Sequence, residues 1–364
     1  MATPTLRARL ADRGVSPRLV TMAVAALATF SLMLVTMLLP VPYAVQAPGP
    51  VIDTLGDVDG VELIHIEGTE TYETSGALQL TTVTTAGGPG YPVDSGGVIR
   101  GWLSPTTTVA PVELFFDPGQ SQDEIDQTSA QQMISSQQNA TVAALTELGY
   151  DVPAELTVVG TQQGSGADGV AQDGDRIVGI VAGDEEVEVV TFADLADVLA
   201  ATPPGSTVDL VVDRDGERVA LPVVTGDDGR GGSVLGVFLD GEFDYPVDVR
   251  IQIENVGGPS AGTMFALGII DMLTPGEMTG GHNVAGTGTV SLGGLVGAIG
   301  GIQQKMAGAR AADAEYFLAP LANCGEVVGH VPAGLRVVAV STLAEARAAV
   351  EAIGAGDTAD LPTC

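Results

Sequence analysis

The sequence predicts an α+β chain of several domains: an apolar N-terminal helix, a β-rich segment, a second strand-rich module and a C-terminal α/β domain. Three observations predict it. Residues 19–39, "LVTMAVAALATFSLMLVTMLL", run without a charge. From 61 to 225, short stretches rich in Val, Ile, Thr and aromatic residues alternate with turns containing Gly, Pro and Asp, the signature of strands. From 247 to 273, "VDVRIQIENVGGPSAGTMFALGIIDML" passes from strand-like alternation through a glycine turn into an apolar helix.

The apolar run is long enough to cross ~30 Å of hydrocarbon as a helix, and longer than the core of a usual cleavable signal. Arg7, Arg9, Arg13 and Arg18 precede it against the single acid Asp12. That bias predicts a cytoplasmic N-terminus over 1–18, a transmembrane helix over 19–39 and an extracytoplasmic remainder from 41 on. Of the 46 acids and 14 bases in the 364 residues, which give a formal charge of −32, 45 acids and 10 bases fall beyond residue 39. So acidic a body is repelled by phosphate backbones, which argues against nucleic acid as a partner. The only two cysteines, Cys324 and Cys364, are expected to form a disulfide in that oxidising compartment. No third cysteine stands near them, and the one neighbouring histidine, His330, is too few to complete a metal site.

Residues 41–150 read as a β-rich region ending in a helix. The runs "VELIHI", "ALQLTTVTT", "GVIRGWL" and "TTTVAPVELFF" are expected as strands, and 129–150 as a long helix stopped by Gly149. Residues 151–226 follow another pattern. "AELTVVG" and 176–181 read as strands, "TFADLADVLA" as an amphipathic helix, and "STVDLVVDRDGERVALPVV" as a hairpin closed by Asp-Gly. The order "GVAQDGDRIVGI", helix, "PPGSTVDLVVDRDGE" resembles bacterial PDZ domains. That resemblance implies a small β-barrel that takes extended peptides or chain ends along a strand edge. "TGDDGRGG", 225–232, reads as a flexible junction before the last domain, 233–354, and the tail 355–364.

In that last domain Ser260 stands at the start of an apolar helix, where unpaired backbone N–H groups and the helix dipole favour negative charge. The residue type fits a nucleophile at a tight turn and equally a helix cap. "GPSAG" also fits the Gly-x-Ser-x-Gly elbow of α/β-hydrolases, with Asp313 and His330 following in triad order. The other candidate partner is Lys305, the only lysine in the chain. A lysine can lose its proton where arginine cannot. Its neighbours Ile302, Gln303, Gln304, Met306 and Ala307 carry no acid that would hold the ammonium form. Burial there would bring its pKa towards the range of a general base.

"GGPSAG", followed by "TGTVSLGGLVGAIGGIQQKMAGARAADAEYFLAP", resembles the proteolytic domain of Lon proteases. The resemblance implies Ser260 as nucleophile, Lys305 as base and Thr287 as the residue that orients both. It also implies Gly258 and the Ser260 N–H beside the oxyanion, and a homo-oligomer. Gln303 and Gln304 depart from the charged residues common there. No Gly-x-x-x-x-Gly-Lys phosphate loop occurs in these residues. The order of anchor, β-rich region, PDZ and Lon-type domain, with "APGP", "LTTV", "MISSQQNATVAAL" and "NCGEVVGHVP", is similar to bacterial membrane-anchored Lon-like PDZ proteases. The expected function is therefore an ATP-independent serine endopeptidase acting outside the cytoplasm on unfolded or C-terminal segments. It needs no cofactor or metal and uses polypeptides and one membrane as partners. The alternative is an inactive PDZ-containing binding or chaperone module.

Overall fold

The computed structural model describes residues 16–58, 60–229 and 231–364. Of the charges on which the expected orientation rests, Arg7, Arg9, Arg13 and Asp12 lie outside the described residues, and Arg18 lies within them. The chain divides into two compact units, one made of Met1–Pro48 and Val83–Ile125, the other of Gly49–Thr82 and Asp126–Cys364.

In the first unit, helix α1 spans Pro17–Met37, with Ser16 as N-cap and Pro17 at its first position. By length and composition it is able to cross a membrane, and an export signal would pass the same test. Immediately after it, Pro40–Val41 pairs antiparallel with Val93–Asp94, and Tyr43–Gln46 pairs with Thr108–Pro111. The run "GVIRGWL" is not a strand. It lies in helix α2, Ser95–Leu103, because Asp94 caps it by accepting from the Gly97 N–H at 2.6 Å. That N-cap overrides the β preference of its Val, Ile and Trp.

In the second unit, residues 154–243 form an antiparallel sheet. Its strand order is Glu217–Val224, Thr207–Arg214, Arg176–Ala182, Ala154–Thr161, Val237–Phe243. Helix α3, Gln122–Glu147, precedes this sheet, and helix α4, Phe192–Ala201, sits within it in sequence, begun by a capping box of Thr191 and Asp194. Leu156, Val158, Ile180, Leu195, Val208 and Leu210 make its core. Asp175 is fully buried and accepts two hydrogen bonds from Arg214, 2.6 and 2.7 Å, which hold its carboxyl below the usual range. This is the PDZ-like module, and its extent differs from expectation. The segment 225–232 is no free junction, since Gly226–Asp227 pairs with Ser233–Val234. Beyond it, Val237–Phe243 is the edge strand of the same sheet.

The remainder of the unit is a mostly parallel sheet. Arg336–Val340, Tyr316–Pro320, Asn283–Gly286 and Ala77–Leu80 lie side by side, each parallel to the next. Ile64–Glu67 pairs with Asp248–Ile251. Helix α5, Gly262–Leu273, is buried over its first ten residues. Its core contains Leu63, Ile64, Leu78 and Leu80 from before the PDZ-like module, and Met264, Phe265 and Ile269 from after it. Residues 61–82 and the helix α3 segment 133–145 therefore belong to the C-terminal domain, not to a separate β-rich region. The boundary expected at 233 is replaced by a domain interrupted by an insertion. Helix α6, Ile302–Ala311, and helix α7, Leu343–Gly354, complete this layer. Cys324 and Cys364 are joined by a disulfide, and the Ala339 N–H donates to Pro362 O at 2.9 Å, so the tail is tied to the sheet.

Candidate active site

Three elements deliver three side chains to one point. After Asp248–Ile251 the chain runs irregularly to Ala261, and Gly258, with φ 84°, turns it sharply. Ser260 comes two residues before the start of α5. The N-cap of α5 is Ala261, with no side-chain cap hydrogen bond, so the serine hydroxyl is not spent on capping. Thr287 follows the strand Asn283–Gly286, and its N–H donates to Leu318 O at 3.2 Å. Lys305 lies in the first turn of α6, behind Gly301 in the left-handed region.

The Lys305 Nζ is 2.8 Å from Ser260 Oγ and 2.8 Å from Thr287 Oγ1. The Thr287 hydroxyl donates to Ser260 O at 3.0 Å, and the Gly288 N–H donates to the same oxygen at 2.9 Å. In return the Thr263 N–H donates to Gly288 O at 3.1 Å. These bonds fasten the serine turn to the strand that carries Thr287. Only glycine fits at 288: φ is 149°, and a Cβ there would meet Thr263 Oγ1 at 2.6 Å.

Thr287 is fully buried and Lys305 only 2 % exposed. Burial pulls the Lys305 amine down to about 7, because removing water penalises the ammonium form. A neutral amine at 2.8 Å from a hydroxyl is positioned to take its proton. The start of α5 adds a partial positive charge nearby, which favours an anion at this point.

The sequence candidates separate cleanly. Ser260, Thr287 and Lys305 are brought together. Asp313 and His330 are not: both are exposed, Asp313 to 92 % at its side chain, and Asp313 faces Arg310. The hydrolase-type triad is thus not assembled. The Gly258 N–H differs from expectation as well. It donates to Ser129 O in α3 at 3.0 Å, so it is engaged by a helix and not open towards an oxyanion. The same helix supplies Ser136, buried, whose Oγ donates to Pro259 O at 3.0 Å. Sequence reading assigned no part to Ser129 or Ser136, although Ser136 lies inside the family-like phrase "MISSQQNATVAAL". A groove of about 540 Å³ lies between α3 and residues 251–256, lined by Met133, Ile134, Gln137 and Ile253.

Residues 252–350 match the family model of the Lon protease (S16) C-terminal proteolytic domain. Among curated relatives, the chain is 28 % identical over 142 residues to a Lon protease of Campylobacter concisus, covering 38 % of this chain and 17 % of that protein. It is 33 % identical over 102 residues to a Lon protease of Clostridioides difficile, covering 27 % and 13 %. It is 34 % identical over 114 residues to Lon protease 2 of Herpetosiphon aurantiacus, covering 29 % and 14 %. The chain thus spans only a small part of the length of these relatives. Among solved structures it is similar to the PDZ domain of an SdrC-like protein from Listeria monocytogenes, at 19 % identity over 25 % of this chain and 88 % of that one, with a TM-score of 0.21. The family match falls on the segment that holds Ser260, Thr287 and Lys305, and the C-terminal part of this chain accordingly carries a domain of the Lon proteolytic type.

Proposed function

We propose that the chain is a membrane-anchored serine endopeptidase that acts outside the cytoplasm, without ATP, through a Ser260–Lys305 dyad. The observation that carries this reading is the buried amine of Lys305, 2.8 Å from Ser260 Oγ, with its pKa drawn down to about 7. The neutral amine accepts the Ser260 proton as Oγ attacks the peptide carbonyl. The resulting ammonium then gives that proton to the leaving amine, and an acyl-enzyme remains. A water molecule, deprotonated by the same amine, releases the acyl group and restores the serine. Thr287 holds the amine, and the Ser260 N–H at the head of α5 faces the oxyanion.

The span α1 supports the anchor, and the arginines before the span favour extracytoplasmic catalysis. Action without ATP belongs to the same proposal. Val237–Phe243, an edge strand of the PDZ-like sheet, supports capture of extended peptides by strand addition. Without an unfoldase, loosely folded chains are cut and stable globular ones are spared. Assembly as a homo-oligomer belongs to the same reading.

The test is casein cleavage against pH by the wild type, Ser260→Ala and Lys305→Arg. Wild-type activity should rise through about pH 7, with both variants silent. An active Lys305→Arg variant would refute the dyad. The binding-module reading draws on one observation, the Gly258 N–H engaged by Ser129 O. Labelling of the wild type, but not of Ser260→Ala, by a fluorophosphonate would rule that reading out.

A further inference from the structure

Helix α2 is amphipathic in an unusual sense. Its inner face, Val98 and Gly101, is buried, and Gly101 lies so close to the strand behind it that a Cβ would stand 2.6 Å from Val109 Cγ2. Its outer face carries Ile99, Trp102 and Leu103, at spacings of three and four, exposed to 41 %, 63 % and 81 %. Helices of soluble domains normally turn charged or polar residues outward at such positions. Here the only charge on the helix is Arg100, and Trp102 is the only tryptophan in the chain. Tyr43 packs edge-on against the indole with 6.2 Å between ring centres. Tyr91 and Leu114 of the same unit are exposed as well.

The place of this face in the chain identifies what covers it. The Ser95 N–H donates to Leu39 O at 3.1 Å, and Pro40–Val41 is paired with Val93–Asp94. The first turn of α2 is therefore fixed to the first residues after α1. A nine-residue helix is only about 14 Å long, so the backbone of Trp102 and Leu103 stands within about that length of Ser95, which is bonded to Leu39 just beyond the span. Trp and Tyr beside aliphatic residues at the end of a membrane helix are the composition of the bilayer interface. We infer that α2 lies on the outer surface of the same bilayer that α1 crosses, with Ile99, Trp102 and Leu103 inserted among lipid headgroups and upper acyl chains. This rests on α1 being a retained membrane anchor. The strongly acidic chain makes the contact apolar in origin, so it holds on zwitterionic lipid and is insensitive to salt.

The lone tryptophan makes the test direct. The full chain is placed in nanodiscs of phosphatidylcholine brominated either at shallow or at deep acyl positions, and Trp102 fluorescence is read. A second protein, Trp102→Phe with Leu27→Trp, moves the only indole to the middle of α1. The expected result is at least twofold quenching of Trp102 by shallow bromines, less by deep ones, and the reverse order for Leu27→Trp. Ile99→Ser with Leu103→Ser should reduce the shallow quenching by half or more. If Leu27→Trp is quenched and Trp102 is not, the anchor stands and the surface helix is refuted. Unchanged quenching in the double serine variant also refutes it. If neither indole is quenched, the anchor itself is wrong and this inference falls with it.

Discussion

The Thr287 hydroxyl has one proton, and it donates that proton to the Ser260 carbonyl at 3.0 Å. It therefore meets the Lys305 amine, 2.8 Å away, only as an acceptor. A neutral amine that points one N–H at Thr287 keeps its lone pair for the Ser260 proton. Thr287→Val should lower kcat by roughly 10²-fold or more, while Thr287→Ser stays within about tenfold of wild type. The valine variant also removes an acceptor that favours the ammonium form. Its rising pH limb should move below the wild-type position near pH 7, a shift that general loosening of the fold would not produce.

Lys305 also carries a stability cost. Its folded pKa of about 7 lies below the unfolded value, so the folded state gives up a proton that the unfolded state retains. The cost is full below pH 7 and disappears as pH rises from 7 towards ~10.4. Lys305→Met should abolish activity and yet raise stability by about 2–4 kcal/mol at pH 6, with a gain that shrinks above pH 8. Urea unfolding at both pH values measures it, and a destabilised methionine variant would contradict the assigned burial cost.

Ser136 fixes the peptide before the nucleophile by donating to Pro259 O. Ser136→Ala leaves that carbonyl without this partner and should destabilise by about 1–3 kcal/mol. Its rate of labelling by a fluorophosphonate should fall by roughly tenfold, while the pH limb stays in place, because the amine is untouched. Ser136→Thr should recover most of the labelling rate.

Asp271 is fully buried near the end of α5. One of its carboxylate oxygens accepts from the Met278 N–H at 3.2 Å, and the other has no partner. Burial raises its pKa to about 6, with Asp53 adding to the effect. A raised folded pKa means that stability falls as pH rises from about 4 to 6 and stays lower above that. Asp271→Asn should stabilise the protein by about 1–3 kcal/mol at pH 8 and by little at pH 4, as thermal melts at the two values will register.

What the sequence disclosed was whatever was local or chemically singular. A lone lysine, a serine at a glycine turn and a threonine at family spacing converge at 2.8 and 3.0 Å. The capped helix α4 and the Asp-Gly hairpin lie close to where they were expected. Non-local pairing was hidden. Nothing within "ALQLTTV" says that Ala77–Leu80 will lie beside Asn283–Gly286, some two hundred residues on. Helix α2 is not legible locally, because its β-prone Val, Ile and Trp outweigh a single capping aspartate, Asp94. Ser129 acts through its backbone oxygen, which leaves no trace in residue type.

The interrupted catalytic domain has a consequence for the order of events as the chain is made. The PDZ-like sheet draws all its strands from 154–243, so it closes as soon as that stretch emerges. The parallel sheet must wait, because Ala77–Leu80 has no parallel partner until Asn283–Gly286 arrives, and Lys305 comes later still. Long-range pairings of this kind form slowly and late. A nascent chain therefore passes through a stage in which its PDZ-like sheet is folded while Ser260 still lacks Lys305 beside it, and the site is complete only after the last third of the chain has been made.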